Sequence, residues 1–142
     1  MTYRAWPDRL GMCVALACAL HCAGLTLVFL LYPTVWLNRS YWESGLWHKL
    51  LWLEWGLLAL TWTMLLAAML VGWLRHRHFG PVLLALISAG ILTVLIATPL
   101  HFSGRWTALA AAGAGLLLAG AHFWNLHLGR CHMQTAVQQY FS

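Results

Sequence analysis

Three residues in the first quarter of the chain have the types and spacing to do chemistry: Cys18, His21 and Cys22, in the segment Cys18-Ala19-Leu20-His21-Cys22. On a helix, Cys22 falls about 40° from Cys18 and His21 about 60° to its other side, so two thiols and an imidazole share one sector a turn apart. Thiolate sulfur binds soft metal ions better than oxygen does, and imidazole is a common third ligand. At the sulfur–metal length known for zinc, the two sulfurs would lie roughly 4.6 Å apart, a gap that rotamers at i and i+4 can span. A plainer reading stands beside this one. Gly11, Ala15, Cys18 and Cys22 also form a narrow stripe of small side chains, the kind that lets membrane helices approach closely. His21 weighs toward the ligand reading, because an ionisable side chain inside a membrane span is costly and marks a functional site by default.

The element that must carry these residues is an apolar run from Leu10 to Tyr32 with no Asp, Glu, Lys or Arg, long enough to cross a bilayer as one helix. Arg4 and Arg9 before it imitate a signal peptide, but the run outlasts a signal core and is expected to stay. Tyr32-Pro33 ends it, and Asn38 to Gly45 reads as a polar loop. Spans of roughly 46–74, 81–100 and 106–128 follow, with a short tail over 129–142. The predicted fold is therefore all-α, a single four-span membrane domain built as a four-helix bundle with both termini on one side.

Each later span adds candidates. His48, Lys49 and Glu54 give the second a polar entrance, and Arg75-His76-Arg77-His78 after it reads as the positive flank of a span. His101 closes the third. In the fourth, Ala111, Gly115 and Ala119 make a close-packing face; His122 lies about 20° from Ala111 around the helix, with Asn125 one turn on. The tail offers Cys131 and His132.

Composition agrees with a membrane protein. The 142 residues are 62% hydrophobic and 8% charged, too apolar to cover a soluble globule. Eight basic residues face three acidic ones, and with no basic and aromatic groove pattern the excess reflects membrane orientation, not nucleic acid. Arg4, Arg9, Arg75, Arg77 and Arg130 fall on the side of the termini, against Arg39, Lys49 and Arg105 opposite, which predicts cytoplasmic termini. In that frame Cys18 and His122 reach comparable depths, so one pocket is expected to hold both. His48, Glu54 and His101 would form the outer mouth, and Cys131 and His132 the exit.

Asp8-Arg9-Leu10-Gly11, the Cys18-to-Cys22 segment, the Arg75-to-His78 turn, Ala121-His122 with Asn125, and Arg130-Cys131-His132 together resemble the MerC-type membrane proteins, over nearly the whole chain. The resemblance implies a four-helix protein of the bacterial inner membrane. Its mercury-resistance members take up Hg(II) through cysteines in the first span and near the C-terminus. Carried over, it implies ligands Cys18 and Cys22, with His21 and His122 at family-typical positions. This chain departs from the mercury transporters in having Cys131 alone, beside His132, where they carry a cysteine pair. The His between the first-span cysteines belongs to the broader MerC-like group.

The first expectation is thus a non-enzymatic transporter of a thiophilic ion, Hg(II) before zinc, copper or iron, with Cys18, His21, Cys22 and His122 as ligands and Asn125 supporting them. The alternative from another class is a haem-binding redox protein with His21 and His122 as axial ligands. Expected partners are the lipid bilayer, the metal cargo and a cytosolic thiol acceptor, with a homodimer as an allowed assembly.

Overall fold

The computed structural model describes residues 6–31, 43, 45–98 and 105–141. These form four α-helices: α1 (Trp6–Leu31), α2 (Gly45–His76), α3 (Gly80–Ala97) and α4 (Arg105–Phe141). Each contains a stretch long and apolar enough to cross a membrane, Trp6–Leu25, His48–Leu74, Gly80–Ala97 and Trp106–Cys131. Leucine, alanine and tryptophan populate all faces, so no helix has a polar side. What divides the faces is size.

Helix α4 is the hub and packs against all three others, most extensively against α1. Its inward face is made of Ala108, Ala111, Ala114, Gly115, Leu118 and Ala121, whereas Leu109, Leu116, Leu117 and Phe123 point outward and are exposed. With no hydrophobic effect to separate protein from lipid tails, the small faces drive assembly by letting backbones meet. At Gly115 a β-carbon would stand 2.9 Å from the Ala19 Cβ, so α1 and α4 touch backbone to backbone there. Helices α2 and α3 are tied by Trp62, whose Nε1–H donates to Thr93 Oγ1 at 3.0 Å while that hydroxyl donates to the Ala89 carbonyl at 2.7 Å.

The start of α1, the end of α2, the start of α3 and the Trp124 turn of α4 meet at one end of the bundle, here called the terminal end. Helix α4 runs through the segment from Gly129 that was read as a tail. The residues Met133-Gln134-Thr135-Ala136 and their successors contain neither Gly nor Pro, so nothing stops the helix.

Candidate functional site

Both first-span thiols face protein. Cys18 is 2% and Cys22 1% exposed. The Cys22 thiol interacts with that of Cys18 one turn away and lies within electrostatic reach of Glu54 on α2. Glu54 is itself buried, and its Oε1 stands 3.5 Å from His21 Nε2. That separation is an ion-pair distance without hydrogen-bond geometry, and His21 Nε2 has no hydrogen-bond partner among the described residues. Glu54 was expected at an outer mouth. Its place two turns inside α2, on the stripe that also carries Thr61, Ala68 and Gly72, brings it to the thiols instead. Cys13 is exposed and takes no part.

His122 is elsewhere. A β-carbon on Gly11 would overlap its ring, and its Nδ1 lies 3.4 Å from Asp8 Oδ1. Gly11 precedes Cys18 by seven residues, about 10 Å of helix, so the structure does not bring His122 into the pocket that holds the cysteines. The register set by Ala19 against Gly115 decides this, and counting from span ends could not reveal it. The same register separates His21 from His122. His21 lies ten residues, about 15 Å, from the Gly11 level, whereas two nitrogens bound to one metal at about 2 Å each must come within about 4 Å of one another. The pair is not an axial haem couple.

A second polar cluster forms at the terminal end. His76 Nδ1 accepts the His78 N–H at 3.1 Å, so its Nε2 carries the proton and donates to Asn125 Oδ1 at 2.9 Å. Asn125 Nδ2 in turn donates to Asp8 Oδ1 at 2.9 Å and to the Ala68 carbonyl at 3.2 Å. Asp8, His76, His122 and Asn125 are all at most 6% exposed. Two glycines make room: a β-carbon on Gly72 would overlap the Asn125 amide as one on Gly11 would overlap His122. The turn after α2 holds His76 in place. Arg77 adopts φ 56°, a left-handed cap whose N–H donates to the Trp73 carbonyl at 2.9 Å, and its guanidinium lies 5.1 Å over the Trp73 ring. The sequence offered His122 as a ligand with Asn125 supporting it, but showed Asp8 and Gly11 only as motif or small-stripe residues and His76 only as part of a basic flank.

Of the remaining candidates, His48 is exposed in an open pocket with Leu51, Trp52 and Trp55. Cys131 is exposed on α4 with its Sγ 3.7 Å from Nε2 of His127, a partner one turn back that sequence reasoning missed although i and i+4 spacing signals it. His101 and the side chain of His132 lie outside the described residues. Among the described residues, no group of three or more His, Cys, Asp or Glu side chains is arranged to hold a metal ion.

No curated protein and no solved structure matches the chain. The family described as MerC mercury resistance protein matches over residues 8–127, a stretch that takes in Asp8, both first-span thiols, Glu54, His76, His122 and Asn125. With four membrane-spanning helices and a family match over most of its length, the chain belongs to the MerC mercury resistance family of membrane transport proteins.

Proposed function

We propose that this protein takes up Hg(II) across the bacterial inner membrane, with Cys18 and Cys22 as the capturing ligands and both termini in the cytoplasm. The observation that carries the reading is the pair of adjacent thiols turned into the bundle, beside a carboxylate and an imidazole. A lipid-facing pair could not serve a site inside the bundle, and the neighbouring carboxylate and imidazole are what a plain packing stripe does not need. Two sulfur donors suit an ion content with two strong bonds, whereas structural zinc takes four protein ligands, so the donor set favours the softer cargo. The Glu54 carboxyl beside the thiols is a group whose ionised form favours a cation at that place. The chain carries no nucleotide-binding loop, and the ion moves down a gradient of binding by thiolate exchange, held firmly enough to be captured and loosely enough to leave.

The test is equilibrium binding of Hg(II) to the purified protein, with uptake into vesicles measured in parallel. Cys18→Ser/Cys22→Ser should lose high-affinity binding and uptake while still inserting as a helical bundle, and Cys13→Ser should retain both. Unchanged uptake in the double variant would sink the proposal. Elemental analysis and the absorption spectrum of the protein as isolated separate metal cargo from haem.

A further inference from the structure

The polar cluster at the terminal end lies outside the thiol site, and we infer that Asp8, His76 and Asn125 form the gate that closes that site from the terminal face. This rests on the transport reading above. The order of residues along the shared α1, α2 and α4 seam supports it. Cys18 is ten residues, about 15 Å, from Asp8, so an ion leaving the thiols toward the terminal end meets the cluster before it meets water. Thr61 stands between them, on the α2 stripe that links Glu54 to Gly72, and its buried Oγ1 has no hydrogen-bond partner among the described residues. A hydroxyl left unpartnered in mid-seam is costly in a closed bundle and useful to a passing cation.

The chemistry of the seal also fits a gate better than a girder. Replacing a buried polar network by apolar side chains of similar volume is often neutral or stabilising, so stability alone does not call for Asp, His and Asn here. These groups are satisfied by one another when the helices are together, and water can satisfy the same donors and acceptors when they part. An apolar plug has no such second state of comparable energy. Asn125 is the bolt: its one amide bonds to α1 through Asp8 and to α2 through His76 and the Ala68 carbonyl. Moving that side chain breaks the hydrogen bonds that hold α2 in the cluster, while His122 Nδ1 stays 3.4 Å from Asp8 Oδ1 between α4 and α1.

Thiol accessibility in oriented vesicles tests this without any metal. In a Cys13→Ser/Cys131→Ser background, a charged, membrane-impermeant methanethiosulfonate is applied from the terminal face, and modification of Cys18 and Cys22 is read by mass spectrometry. The closed gate should leave both thiols protected. Asn125→Ala should speed their modification from that face at least about tenfold, while labelling from the opposite face stays as it was. His76→Gln, which keeps an N–H donor toward Asn125, should retain most of the protection, and His76→Ala provides a second opening variant should Asn125→Ala fail to fold. Equal labelling of the parent protein from the terminal face, or protection that survives both opening variants, overturns the gate. Failure of the Hg(II) reading would show instead as metal binding that ignores Cys18 and Cys22, with the labelling pattern intact.

Discussion

Asn125 shows what a single residue carries in this bundle. Its amide makes three hydrogen bonds to two other helices, all of them buried. Truncation to alanine removes them and strands the His76 N–H, with a desolvation cost on the order of 1–3 kcal/mol, while Asp8 keeps His122 Nδ1 at 3.4 Å. Interhelical hydrogen bonds in membranes measure closer to about 0.6 kcal/mol apiece, because the helices find partners in the separated state too. Asn125→Ala is therefore expected to lower stability by about 2 kcal/mol, read as a shift in unfolding midpoint in detergent. Phe123→Ala on the adjacent exposed face should stay within about 0.5 kcal/mol of the parent. A polar residue inside a span announces itself in a sequence. Its partner does not, which is why Asn125 was legible as special while His76 passed for a flanking charge.

At the scale of helices, glycine position separates contact from ornament. Gly11 and Gly72 are the notches into which His122 and Asn125 fit, and a methyl group at either would overlap the side chain opposite. Gly120, on the exposed side of α4, has nothing within 4 Å of its would-be β-carbon. Gly72→Ala should accordingly destabilise by about 1–3 kcal/mol through overpacking, whereas Gly120→Ala should be neutral or stabilising by up to about 1 kcal/mol from helix propensity. Equal thermal shifts for the two would refute the notch. The existence of all four helices could be read from the length of apolar runs, and the meeting faces of α1 and α4 from their small residues. Register could not. A one-turn slide of α1 on α4 preserves every small-to-small contact in outline yet changes which residue faces His122, so the expected single pocket for Cys18 and His122 and the placement of Glu54 at a mouth both depended on a quantity that hydropathy does not encode.

For the whole molecule, the consequence of the proposed transport reading is a separation of capture from delivery. Cys18 and Cys131 stand on opposite sides of the Asp8–Asn125 cluster, roughly 24 Å apart along the bundle axis, against the roughly 4.6 Å at which two sulfurs can share one ion. No direct handover spans that distance, so the exposed Cys131 with its His127 neighbour is placed to meet an ion that has already left the gate, or a thiol arriving from solution. Thiolate exchange is fast when an attacking sulfur is accessible and slow when it is not. Cys131→Ser is then expected to leave the amount of Hg(II) held by Cys18 and Cys22 unchanged while slowing its transfer to external glutathione by about tenfold, with His127→Ala producing a smaller slowing in the same step. A stopped-flow transfer assay on preloaded protein reads the two quantities separately. A fall in bound metal without a change in transfer rate would place Cys131 in capture and merge the two stages that the fold keeps apart.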